Sequence, residues 1–263
     1  METMLLFLDE SVDLDTAWLT GIFVPTSLYP EVRDGVVRIA REALVAAGHN
    51  TSTPVELHGV EMLKSIAGAT DQIKLGVFSQ AVALVNRHQL EVLSIGHVEA
   101  KAMRQNLRRI LMDPGDKLHN QNLQEMVNVL ALPHDVVVLP IFDGVPGRAP
   151  ASTKLAPVDR FAYDAFLLGG SITQWNRVAC EERPIPAISF KPNLRNLAEP
   201  VFADSARSPV LQLADIIGYL LGSAERALRQ PSSDWKSNLA AVAHELDPYL
   251  VRRQSVRWIF QGP

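Results

Sequence analysis

The chain predicts an α/β fold, a mixed sheet covered by helices, and two observations carry that expectation. Apolar runs of strand length, at residues 5–8, 16–24, 90–98 and 136–142, alternate with longer segments whose apolar residues recur at helical spacing. The first two runs are separated by a few residues only, which predicts an antiparallel pair, whereas the later strands are separated by helical segments.

Taken in order, residues 5–8 (LLFL) form a buried strand that closes on Asp9, Glu10 and Ser11. Residues 11–15 are then the hairpin turn, and 16–24 (TAWLTGIFV) the second strand, stopped by Pro25. A helix follows over 29–47, with Val32, Val36, Ile39, Ala40 and Ala43 on one face and Gly48 where a C-terminal cap belongs. After a loop at 50–54 comes the short, ambiguous segment Val55-Glu56-Leu57-His58-Gly59.

A helix over 69–87 precedes the strand at 90–98. Two helical segments, 99–112 and 117–130, are separated by Asp113-Pro114-Gly115. The run 136–142, interrupted by Pro140, ends on Asp143-Gly144, a second apolar strand that closes on an acid. Residues 144–157 read as a loop, 160–178 as a helix, 187–191 as a strand, and a further short strand ends at Asp204. Ser208-Pro209 is an N-terminal helix signal, and the helix it starts, to about residue 229, is the most apolar in the chain. A last helix over 235–245 and a basic tail with Arg252, Arg253 and Arg257 complete the reading.

With 263 residues, 47% hydrophobic and 21% charged, the chain suits a single globular domain over 1–263. It carries a helical insertion near 99–131 and a C-terminal helical extension near 231–263. The net charge of −4 advertises no polyanion partner, so any nucleic-acid contact has to come from local groups. Those are Lys101, Arg104, Arg108 and Arg109, then Lys191 and Arg195, or the basic tail; an ordinary solvated helix face explains the first group equally. One cysteine, Cys180, excludes an internal disulfide and a cysteine zinc site, and fits a reducing cytoplasmic location. The apolar run at the N-terminus is too short for a signal peptide, and no stretch approaches the roughly 18 apolar residues of a membrane span. No membrane partner is expected, and the oligomeric state is not legible.

The acids carry the chemistry. Asp215 interrupts Leu211-Gln212-Leu213-Ala214-Asp215-Ile216-Ile217, where 3.6-residue geometry puts it on a face with Leu211, Gly218, Tyr219 and Gly222. A carboxylate in an apolar helix needs a cation or hydrogen bonds. The glycines leave room for a cation, or serve close helix packing. In an extended segment Glu56 and His58 face one way, His58 being either a ligand or a core hydrogen-bonder. Asp204 either approaches the same cation or caps a turn. Carboxylates from separated strand ends and one helix form an oxygen-donor set, which suits Mg²⁺ or Mn²⁺ over Zn²⁺. Two such ions about 3.5–4 Å apart support phosphodiester hydrolysis. Asp13-Leu14-Asp15-Thr16 is a near miss to an aspartyl-phosphatase pattern, and no phosphate-binding loop, dinucleotide glycine triplet or HExxH occurs.

An apolar strand closing on Asp9-Glu10-Ser11, a strand with Thr20-Gly21-Ile22-Phe23-Val24, Glu56-Leu57-His58-Gly59, an apolar strand ending on Asp143, and Asp204-Ser205 ahead of Leu211-Gln212-Leu213-Ala214-Asp215 together resemble domain-of-unknown-function family 3800. The resemblance spans residues 5–223. Val12 stands where that family usually has glycine, and Pro140 interrupts the Asp143 strand. The resemblance implies a ribonuclease H-like mixed sheet flanked by helices, with Asp9, Glu56, Asp143 and Asp215 as catalytic and metal-holding residues for Mg²⁺ or Mn²⁺. It implies supporting roles for Glu10, Ser11, His58, Asp204 and Gln212, and a metal-dependent nuclease acting on DNA or RNA. The alternatives are a non-catalytic nucleic-acid-binding or accessory protein on the same fold, and a phosphoesterase for small molecules.

Overall fold

β1 (Glu2–Val12) and β2 (Thr16–Pro25) pair antiparallel, from Met4 opposite Pro25 to Val12 opposite Ala17. The first strand therefore does not close at Asp9. Asp9, Glu10 and Ser11 are ladder residues, because backbone pairing continues past the apolar run and the β-branched Val12 suits an extended chain. Ser11 and Val12, expected in the turn, belong to β1.

This computed structural model describes residues 2–12, 16–50, 57, 59, 66, 68–98, 135–143, 198, 201–229 and 238–256. Within them, β3 (Val92–Val98), β4 (Val136–Asp143), β5 (Val201–Ala203) and β6 (Leu250–Val256) complete a six-stranded sheet in the order β5-β4-β1-β2-β3-β6. β1, β2 and β3 form an antiparallel meander; β4 runs parallel to β1, β5 parallel to β4, and β6 parallel to β3. The sheet is mixed, as expected. Pro140 stands opposite Leu6, one residue before the β4–β5 ladder begins at Ile141. The missing N–H thus falls where β4 is ladder-paired on one side only.

The C-terminal segment differs from its reading. Helix α4 (Asn238–His244, numbered after α1 to α3 below) lies inside the expected helix, but Arg252 and Arg253 belong to β6 and not to a tail. Two adjacent arginines hide the alternation that marks a strand; pairing with β3, Arg253 opposite Ser94, supplies what side-chain pattern does not.

The helices follow from their termini. α1 (Tyr29–Ala46) opens with proline in its first turn, buries Val32, Val36, Ile39, Ala40 and Ala43, and is followed by Gly48 at φ +79°. α2 (Asp71–His88) is capped by the Thr70 side chain, which accepts the Ile73 N–H. α3 (Pro209–Arg229) follows a short 3₁₀ turn, Ser205–Arg207. Its residues Leu211, Leu213, Ile216, Ile217, Leu220 and Leu221 are fully buried. A helix apolar on all sides requires cover on all sides. β1 and β2 lie beneath it, and α1, α2 and α4 pack around it.

The sheet is buried on both faces. Phe7, Ile22, Val24 and Val92 join the core that contains α1, α2 and α3, while Leu6, Leu8, Leu19, Phe23, Leu93, Ile95, Val138 and Phe142 are buried outside that cluster. The helices expected at 99–112, 117–130 and 160–178, the strand expected at 187–191, and Cys180 lie outside the described residues, as do Lys101, Arg104, Arg108, Arg109, Lys191, Arg195 and Arg257. Among the described residues no helix is long and apolar enough to cross a membrane.

Gly218 sets how closely α3 approaches the sheet. A Cβ there would stand 3.0 Å from Thr20 Oγ1, 3.3 Å from Thr20 Cβ and 3.5 Å from Ser11 Cβ. Gly218 thus serves the close packing of the helix on the sheet. Gly218→Val is expected to lower unfolding free energy by about 1–3 kcal/mol through overpacking, measured as a shift in the urea midpoint; an unchanged midpoint would show that the helix can lift at no cost.

Candidate functional site

The site is built from β1 and its parallel neighbour β4, with α3 packed over β1 and β2. Strand alternation puts Phe7, Asp9 and Ser11 in one series, the series that faces α3, while Glu10 pairs with Leu19 one position out of step. Across the parallel ladder Leu8 stands opposite Phe142, so the next residues on the two strands are Asp9 and Asp143. Neighbouring strands lie about 4.8 Å apart and register partners project to the same face. The sheet thereby brings two acids 134 positions apart in sequence (143 − 9) to adjacent places on its helix-covered face.

The row continues across the sheet. Asp9 stands opposite Thr20, and Thr20 opposite Ser94. Both hydroxyls are fully buried and hydrogen-bonded to each other at 2.9 Å. Asp9 is only 9% exposed and Ser11 6%. A polar row through an apolar sheet is costly unless its members are satisfied, and the Thr20–Ser94 bond satisfies two of them. Thr20 and Ser94 were not singled out from sequence. Their signal is a register relation between strands, invisible until the strands pair.

Asp215 is 8% exposed on α3, and its Oδ2 accepts the Gly59 N–H at 2.8 Å. The chain at Gly59 presses on the helix: a Cβ there would collide with Tyr219 Cβ and stand 3.0 Å from the Asp215 backbone oxygen. Only glycine permits that approach. One turn earlier on α3, Gln212 Oε1 accepts the Leu57 N–H at 3.1 Å, and its Nε2 donates to the Ser205 carbonyl at 2.8 Å. Ser205 in turn donates its N–H to Asp143 Oδ1 at 3.0 Å. Gly59 and Ser205 act through backbone N–H groups, so residue type alone did not reveal their roles.

The other expected residues fall as follows. Asp204 caps the 3₁₀ turn, its Oδ1 accepting the Ala206 N–H at 3.1 Å, and its Oδ2 lies 3.9 Å from Arg207 Nε. Glu56 and His58 lie outside the described residues, as does the Glu10 side chain. Among the described residues no three His, Cys, Asp or Glu side chains are grouped so as to hold a metal ion. The structure thus juxtaposes Asp9 with Asp143 by register, and ties Asp143 and Asp215 into one hydrogen-bonded framework.

Removing the Asp215 carboxylate orphans a buried N–H. Asp215→Ala is expected to cost about 1–3 kcal/mol, whereas Asp215→Asn, which keeps an acceptor oxygen, loses less. Denaturant titration of the two variants checks this, and equal losses would contradict it. Compared with models of known protein families and with curated proteins, the sequence matches none.

Proposed function

We propose that the chain is a metal-dependent nuclease on a ribonuclease H-like sheet. The observation that carries this reading is the register of β1 and β4, which sets Asp9 beside Asp143 on the face covered by the helix bearing Asp215. An antiparallel β1-β2-β3 meander flanked by β4 and β5 parallel to β1 supports the fold assignment.

The donors fit the ion in kind. Asp9, Asp143 and Asp215 are hard oxygen donors, the class Mg²⁺ and Mn²⁺ prefer. The bonds from Ser205 to Asp143 and from Gly59 to Asp215 fix the orientation of those two carboxylates. Glu56, directly before Leu57 in the chain, is the proposed fourth donor. Ions held there supply activation of water and neutralisation of charge on a phosphodiester. The protein's share is rigidity. Asp9 sits within a ladder, Asp143 at the end of one, and Asp215 on a helix buried on every side, so their separations are set before substrate arrives. The proposed substrate is DNA or RNA.

Purified protein incubated with Mg²⁺ or Mn²⁺ and single-stranded DNA, duplex DNA or RNA is expected to cleave at least one of them. Asp9→Asn and Asp215→Asn should each lose at least about a hundredfold in rate, or roughly 3 kcal/mol of transition-state stabilisation. Undiminished cleavage by Asp9→Asn would sink the assignment. Binding without cleavage would favour an accessory nucleic-acid-binding protein, and turnover of a generic phosphoester with nucleic acids intact would favour a small-molecule phosphoesterase.

A further inference from the structure

We infer that Gln212 is a positioning residue that couples the Asp143 strand end to the segment holding Asp215, so that the two carboxylates are placed together and not independently. The coupling itself rests on the hydrogen-bond geometry of the chain; its bearing on metal rests on the proposed nuclease reading.

Gln212 is 5% exposed, and each end of its amide meets a backbone group of opposite character. Oε1 takes the Leu57 N–H at 3.1 Å and Nε2 gives to the Ser205 carbonyl at 2.8 Å. The Leu57 group it meets is an N–H and the Ser205 group a carbonyl, so one amide orientation alone satisfies both. The side chain thus stands in for a peptide unit between the backbones at Leu57 and Ser205. Each segment then carries one more bond outward. Ser205 N–H binds Asp143 Oδ1 at 3.0 Å, and Gly59 N–H, two residues from Leu57, binds Asp215 Oδ2 at 2.8 Å. Asp143 and Asp215 are therefore opposite ends of one chain of bonds with Gln212 at its centre. Two features make the amide irreplaceable by a simpler side chain: it must donate and accept at once, and it must reach both segments from a helix already fixed by burial.

The test compares wild type, Gln212→Met and Gln212→Glu as full chains, by residue-resolved amide hydrogen exchange without metal and by Mn²⁺ titration. Gln212→Met keeps length and loses both bonds. Exchange at Leu57, Gly59 and Ser205 is expected to rise at least tenfold, with the amides of Leu8 and Ile22 unchanged, and Mn²⁺ affinity to fall at least tenfold. A rise at Leu57 alone would overturn the coupling. So would unaltered Mn²⁺ affinity in a variant whose three amides have loosened. If Gln212→Met exchanges faster everywhere, Gln212→Glu decides. It retains the acceptor for Leu57 but sets a carboxylate against the Ser205 carbonyl, so Ser205 should loosen while Leu57 holds; equal changes at both, or none, would overturn the inference. Wild type that fails to bind Mn²⁺ would sink the metal reading, and the exchange pattern would then decide the coupling by itself.

Discussion

The burial of α3 is the constraint on which the rest depends. A helix with apolar residues on every side gains about 25 cal/mol for each Å² of apolar surface removed from water, and gains it fully only when cover is complete. β1 and β2 supply the floor and α1, α2 and α4 the walls. Complete cover also desolvates whatever polar residues the helix carries. Gln212 and Asp215 are 5% and 8% exposed, so each must find partners within the protein. Their partners include the backbone at Leu57, Gly59 and Ser205. The polar framework is thus a consequence of the apolar contact: the same burial that makes those groups costly to leave unsatisfied makes their hydrogen bonds specific in direction.

The sheet contributes a second kind of order. Once β1 lies between antiparallel β2 and parallel β4, register dictates that Asp9, Thr20 and Ser94 share a row and that Asp143 follows Phe142 beside it. A slip by one residue would send every member of the row to the opposite face. Phe7 and Ile22, embedded in the helix-side core, oppose that slip. These apolar residues beside the polar row hold it in place, and Gly218 lets α3 come down on Thr20 and Ser11 without a side chain between.

Much of the scaffold was legible in the chain. α1 begins at Tyr29 as the sequence predicts, Gly48 follows its end with positive φ, and the apolar run at 136–142 is a strand that ends on Asp143. β1 was read too short and β6 was missed, for a common reason. Apolar patterning reports which side chains are buried, whereas a strand is defined by backbone pairing, and Asp9 to Val12 and Arg252-Arg253 pair without an apolar alternation. Asp215 stood out because an acid inside an apolar helix is conspicuous. Its hydrogen-bond partner did not, because a backbone N–H has no residue-type signature.

By itself the sequence determined most of the described strands and helices, which helix must be buried, and that an acid on that helix is too costly to leave without a partner. Those are properties of local periodicity and of single side chains. Tertiary structure alone decided that Asp9 lies beside Asp143, that Thr20 and Ser94 continue the row, and that Gln212 joins Leu57 to Ser205. Each is a relation between segments distant in the chain, set by register and close approach. No local pattern encodes such a relation before the segments pack.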